Sequence, residues 1–433
     1  MKNKDSRREF IKKSAMIGAG LVLFKSSEVL AKEGIKMNNY IKTKAYAAFD
    51  ESGILKPWTF ERRAVGDNDI LIEIKFASIC HSDIHQEKGH WGKQQYPQVP
   101  GHEIVGVVTA IGKNVSKFKI GDRAGVGCMV DGCTTCEEEQ YEDGTKFTYG
   151  YTDEREPTKI TQGGYSTHIV VNNHFAVHIP NNLSFEKAAP LLCAGITTYS
   201  PIMKAQINKG DKVAIAGIGG LGHMAVKLAV SKGAEVYAFT TSADKVKDIK
   251  AFGAKEVIVV DKKEKFLAYQ GQMDYMISTI PYQFDVASYA SVVKPYGYFT
   301  QVGMPINFEL NISNLQLAFS RVNFNASLIG GMKETQEMID YCAKNNVLPE
   351  IQIIKADEIN QAWKNVEDKK ARFILLITQV VLWFMVMVME MVVLIVKQIN
   401  VSEHMLFLVS INLITIVTIL INVHNYRKNK KRM

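Results

Sequence analysis

Between Ala45 and about Pro180 the chain alternates short β-patterned runs with turns marked by Gly and Asp. Examples are Ile70-Leu71-Ile72-Glu73-Ile74, Ile104-Val105-Gly106-Val107-Val108 and His168-Ile169-Val170-Val171. Such spacing predicts a β-rich domain. From Lys212 the pattern changes. Val213-Ala214-Ile215-Ala216 reads as an apolar strand, 221–232 as a helix and Val236-Tyr237-Ala238-Phe239 as a second strand. A helix over 242–252 and a strand at Val257-Ile258-Val259-Val260 follow. Strands separated by crossover helices build a parallel sheet. The expected class is therefore α/β with two lobes, and no solenoid-length repeat is visible.

The two ends carry a different pattern. Ser6-Arg7-Arg8-Glu9-Phe10-Ile11-Lys12 precedes an apolar run from Ala15 to Phe24 and then Val29-Leu30-Ala31. A basic start, a short apolar stretch and a small residue make residues 1–31 a secretory signal in which the paired arginines resemble a twin-arginine motif. A basic amphipathic helix fits the same residues, and Met37 is a second start that would leave the chain cytoplasmic. At the other end, Val380–Val396 is interrupted only by Glu390, and Met405–Val423 is nearly as apolar. Each run is long enough to cross a bilayer, so 379–433 reads as a transmembrane hairpin. That hairpin would return Arg427, Lys428, Lys430, Lys431 and Arg432 to the side of an exported body, against the positive-inside rule. Either one run does not span, the body stays in the cytoplasm, or the tail is an accidental fusion. The expected location is periplasmic or membrane-associated, with the cytoplasm as the alternative.

Charge follows the same division. The chain has 52 Lys and Arg against 44 Asp and Glu, a formal net charge of +8. Residues 37–378 hold 37 basic and 38 acidic side chains, so the excess lies in the ends. Nucleic-acid binding loses its main support. With 47% hydrophobic and 22% charged residues, the composition is globular and excludes a disordered or disulfide-packed chain.

Gly217-Ile218-Gly219-Gly220-Leu221-Gly222 follows the first strand of the second lobe and opens a helix. There the glycines let a pyrophosphate approach bare backbone, and the helix N-terminus supplies free N–H groups. Gly217, Gly219, Gly220, Leu221 and Gly222 are thus candidate dinucleotide-binding residues. The second strand ends in Thr240-Thr241-Ser242, with Lys245 a turn later, where an NAD-binding chain would carry Asp or Glu. Hydroxyls and a lysine suit a 2′-phosphate, so the expected cofactor is NADP(H). Ser242 is expected to cap the following helix, which places Asp244 inside it.

In the first lobe stand Cys80-His81-Ser82-Asp83-Ile84-His85 and Gly101-His102-Glu103, followed much later by Leu192-Cys193-Ala194-Gly195. Two thiols and an imidazole from three segments are the donor types of a catalytic zinc site, which keeps a fourth position open.

Together Cys80-His-Ser-Asp-x-His85, Pro100-Gly-His-Glu103, Ala189-Pro-Leu-Leu-Cys-Ala-Gly-Ile-Thr-Thr-Tyr199 and the glycine loop resemble the zinc-dependent medium-chain alcohol dehydrogenases, cinnamyl-alcohol-dehydrogenase type. The resemblance runs from about Ile41 to Thr378 and omits both ends. It implies a GroES-like catalytic domain over 38–193, a Rossmann domain over 194–331 and a return of 332–378 to the first. It also implies one catalytic Zn2+ held by Cys80, His102 and Cys193, with Glu103 able to enter the coordination shell. By the same resemblance Ser82 and His85 relay a proton, Trp91 lines the substrate pocket and the protein is a homodimer. The implied activity is NADP(H)-dependent interconversion of small primary alcohols and aldehydes, as aldehyde reduction.

The chain departs from the pattern at the family's second, structural zinc. Cys133-Thr134-Thr135-Cys136 supplies one pair of thiols, and Glu137-Glu138-Glu139-Gln140-Tyr141-Glu142 follows without the other pair. Two thiolates do not close a tetrahedral site, so no structural zinc is expected. Cys133 and Cys136 are left as a disulfide or as plain thiols, and Cys128 and Cys342 have no assigned role. The shortened segment and the apolar tail suit an alternative, a catalytically inactive, membrane-anchored relative with a binding role. A zinc hydrolase with Glu103 as base would leave the glycine loop unexplained.

Overall fold

The computed structural model describes residues 39–135, 144–371 and 374–378. The signal-like residues 1–31, Cys136 and the apolar tail 379–433 lie outside the described residues.

The first lobe is built from antiparallel strands. β1 (Ile41–Ala48) and β2 (Leu55–Arg62) form one ribbon. β3 (Asp69–Ser78), β4 (Ile104–Ile111) and β5 (Arg123–Val126) pair in sequence, and a short ribbon joins β6 (Met129–Asp131) to β7 (Lys146–Phe147). β8 (His168–Asn172) adds to β3, and β9 (Val177–His178) to β5. Ile70, Ile72 and Ile74 alternate along β3 and are buried, the period-two pattern of a strand with one face on a core.

The second lobe is a six-stranded parallel sheet. β10 (Lys212–Ala216), β11 (Glu235–Thr240), β12 (Glu256–Val259), β13 (Met273–Ser278), β14 (Val293–Gln301) and β15 (Asn323–Ala326) lie in the order β12-β11-β10-β13-β14-β15. Val213, Ala214, Ile215 and Ala216 are all buried, as expected of a central strand covered on both faces. The strand order reverses between β10 and β13, which opens a crevice at their carboxyl ends. The helix expected over 242–252 begins instead as a tight turn, Ala243–Lys245, and continues as the helix Val246–Ala251. Ser242 makes no side-chain capping bond. It does stand at the N-cap position, with Asp244 in the turn that follows, and its own backbone N–H donates to Thr240 Oγ1 at 3.1 Å.

The chain then returns to the first lobe. β16 (Ile351–Lys355) pairs with β17 (Ile374–Thr378), and β17 pairs with β3, so the first-lobe sheet runs β16-β17-β3-β4-β5-β9. The Ile79 N–H donates to the Leu375 carbonyl at 2.8 Å, which fixes the residue before Cys80.

Arg62 closes the base of this lobe. It is buried, and burial draws its pKa down to about 10. Its guanidinium donates to the carbonyls of Gln162 and Gly163, both at 2.8 Å, and to Ser166 Oγ at 3.0 Å. Arg62→Leu strips these acceptors of their donor and is expected to cost about 3 kcal/mol. A urea unfolding midpoint equal to that of the parent chain would contradict this.

Candidate active site

Four donors from three segments converge between the lobes. Cys80 stands at the N-cap of the short helix His81–Glu87, His102 and Glu103 lie in the turn that leads into β4, and Cys193 caps the helix Ala194–Lys204. All four are buried, and their ligand atoms lie within 4.8 Å of one another. The Cys80 and Cys193 sulfurs are 4.0 Å apart. Two thiolates at zinc–sulfur distance on a tetrahedral ion stand about 3.8 Å apart, so the spacing suits zinc.

The electrostatics point the same way. Hydrogen bonding to Cys193, reinforced by burial, raises the Cys80 thiol well above its ordinary value. Hydrogen bonding to Cys128 pushes Cys193 to about 12. Burial pushes Glu103 up to about 8, and its Oε2 has no hydrogen-bond partner among the described residues. A dication at their centre would reverse this logic by favouring both thiolates and the carboxylate.

The sequence reading passed over Asp83 as a functional group. It is fully buried on the first turn of the helix His81–Glu87 and accepts five bonds. Oδ1 faces His102 Nδ1 at 2.9 Å, Tyr149 OH at 2.7 Å and the Gly101 N–H at 3.2 Å. Oδ2 accepts from the Cys80 N–H at 2.9 Å and Tyr165 OH at 2.8 Å. Asp83 thereby fixes the His102 ring with Nε2 unengaged by the carboxylate, an arrangement that suits a carboxylate behind a metal-binding histidine.

A cleft of about 830 Å³ runs from these donors into the second lobe. Cys80, His102, Glu103 and Cys193 line it, as do Ser82, His85 and Trp91. Gly217, Gly219, Gly220, Leu221, Thr240, Thr241, Ser242 and Lys245 line its other end. Gly222 does not. It packs the loop, and a Cβ there would stand 1.9 Å from the Gly217 carbonyl oxygen. The helix Gly220–Ser231 points its N-terminus at the cleft, with open space beside Gly219. Thr279 Oγ1 donates to the Gly217 carbonyl at 2.6 Å and braces the loop across the sheet crevice. Thr240 is buried with its hydroxyl engaged, whereas Thr241 is exposed. The Phe308 ring, 5.6 Å from Trp91, closes the outer wall and was not foreseen from sequence.

The comparisons agree with this geometry. Residues 66–181 match the alcohol dehydrogenase GroES-like domain, and residues 220–344 match the zinc-binding dehydrogenase domain. NADP-dependent alcohol dehydrogenase C 1 of Mycolicibacterium smegmatis is 43% identical over 338 residues, which are 76% of this chain and 97% of that protein. The chain belongs to the zinc-dependent medium-chain alcohol dehydrogenase family. Cinnamyl alcohol dehydrogenase 2 of Rauvolfia serpentina is 42% identical over 77% of this chain and 95% of its own length. The crystal structure of the cinnamyl alcohol dehydrogenase of Helicobacter pylori complexed with NADP(H) superposes with a TM-score of 0.74 at 40% identity, covering 78% of this chain and 98% of that one.

One expectation is corrected here. A periplasmic or membrane-associated location rested on the two ends, whereas these dehydrogenases are matched over nearly their whole length by the two-lobed body. No helix among the described residues is long and apolar enough to cross a membrane.

Asp83→Asn is expected to weaken zinc binding roughly 10–100-fold. Competition against a metallochromic chelator measures this, and parental affinity would remove Asp83 from its role.

Proposed function

We propose that the chain is a zinc-dependent oxidoreductase that interconverts small primary alcohols and aldehydes with NADP(H), working as an aldehyde reductase. The observation that carries this reading is the single cleft joining the buried Cys80–His102–Glu103–Cys193 cluster to the glycine loop. That complete donor set argues against an inactive relative. Cys80, His102 and Cys193 would hold the metal, with Glu103 as the neighbouring carboxylate. When bound, zinc supplies a Lewis acid for the substrate oxygen and NADP(H) supplies the hydride.

The remaining work falls to the protein's own groups. Ser82 and His85 are three residues apart on one helix, so they face the same side, and both line the cleft. Ser82 would pass a proton between the substrate oxygen and His85. Trp91 and Phe308 would offer apolar surface to the carbon skeleton. The loop Gly217–Gly222 would hold the pyrophosphate at the helix N-terminus, and Lys245 with Thr241 and Ser242 would meet the 2′-phosphate. We read the domains as 38–193, 194–331 and 332–378. The edge strand β15 stands beside the exposed Tyr298, Leu315 and Phe319, which suits pairing with a second copy as a homodimer.

Cys193→Ser in the full-length chain is expected to abolish both zinc content and aldehyde-dependent NADPH oxidation, and unchanged turnover would remove it from the ligand set. Lys245→Ala is expected to raise KM for NADPH several-fold with little change for NADH. Equal effects on the two cofactors would refute the 2′-phosphate assignment.

A further inference from the structure

His85 and His90 stand in contact beside the cleft. The His85 ring is buried, 6% exposed, so it has little direct access to water. Its Nδ1 lies 2.8 Å from Nδ1 of His90, a hydrogen bond between the two imidazoles. His90 is exposed. The contact is built by the backbone. The helix ends at Glu87, Gly89 adopts φ +65°, and the His90 N–H donates to the His85 carbonyl at 3.0 Å. This turn folds the chain back and sets one histidine over the other.

The surroundings keep the pair in register. His81 stacks on His85 with centroids 4.5 Å apart, and Trp91 packs against it at 5.3 Å. The titratable and charged groups acting on His85 are His81, Lys88 and His90. Glu367 and Lys369 act in turn on His81. Burial, together with these neighbours, lowers the His85 pKa to about 4, so at neutral pH its ring is uncharged and holds one N–H and one lone pair.

We propose that His90 is the solvent end of the proton relay, a positioning and proton-conducting residue for the reaction that Ser82 and His85 serve. The proposal rests on the reading that His85 carries the proton. During aldehyde reduction, His90 takes a proton from water at Nε2 and gives its Nδ1 proton to Nδ1 of His85. His85 then gives its Nε2 proton toward Ser82, so each ring gains one N–H bond and loses one. Alcohol oxidation runs the same transfers in reverse, from Ser82 through His85 to His90 and water, and restores the starting tautomers.

The test compares His85→Gln and His90→Gln in the purified full-length chain at low buffer concentration. His90→Gln keeps an amide able to bond His85 but cannot pass a proton through itself. Its kcat is expected to fall roughly tenfold, less than the 10²–10⁴ of a direct acid–base group, with KM for aldehyde unchanged. Imidazole added to the buffer is expected to restore it, and the solvent isotope effect on kcat to rise. In nitrogen-labelled parental protein, a coupling through the hydrogen bond between the two Nδ1 nuclei is expected, a readout independent of turnover. Full activity with an unaltered isotope effect in His90→Gln, or a slow variant that imidazole does not rescue, would overturn the proposal. If His85→Gln is slow while His90→Gln is not, the extension alone fails. If His85→Gln matches the parent, the relay itself is refuted.

Discussion

A single buried carboxylate holds the active site together. Asp83 gathers two backbone N–H groups, two tyrosine hydroxyls and one imidazole onto its two oxygens. Left unpaired at that depth, the charge would cost several kcal/mol, so every partner that reaches it is strongly favoured to stay. Those partners belong to the helix His81–Glu87, the turn before β4, and the segments around Tyr149 and Tyr165. Cys80 and His102 are both tied directly to this group. The positions of two residues of the candidate metal site are therefore set by one interaction that is not itself a metal bond.

Much of the fold was legible because its periodicities are local. The β3 alternation declares itself in five residues and the apolar run of β10 in four, and the glycine loop lies within six. The donors were legible for another reason, since Cys and His have few uses in combination and four motifs fell in family order. Asp83 was visible in the motif but silent in role, because its meaning depends on Tyr149 and Tyr165, distant in sequence. Ser242 was legible as the residue before the helix, and it stands at that N-cap, but whether its hydroxyl bonds a following N–H depends on a rotamer that sequence does not give. His90 carries no signal until the turn after Glu87 sets it over His85. The location misled most. The apolar runs of the two ends are strong address signals read alone, but the family match lies in the body between them.

The two lobes divide the chemistry by the kind of precision each can supply. The first lobe fixes atoms by buried polar bonds, which tolerate little displacement. The second shapes its glycine loop by backbone, where a Cβ at Gly222 would meet the Gly217 carbonyl and Thr279, just past β13, braces the loop. Between them stand the aromatic rings of Trp91 and Phe308, 5.6 Å apart. Polar precision at one end and shape at the other leave the middle of the cleft free to vary in what it accepts.

The placement of β17 reaches beyond the folded state. This strand comes last among the described residues, yet it lies in the interior of the first-lobe sheet, between β16 and β3. During synthesis from the N-terminus, the segments bearing Cys80, His102 and Cys193 emerge well before it. Until it docks, the flank of β3 beside the metal donors is an open edge, and the Ile79 N–H has no acceptor. The nascent chain must therefore carry an unfinished metal pocket through the making of the entire nucleotide lobe. Completion of the pocket thus becomes a late event that reports on the whole body having been made.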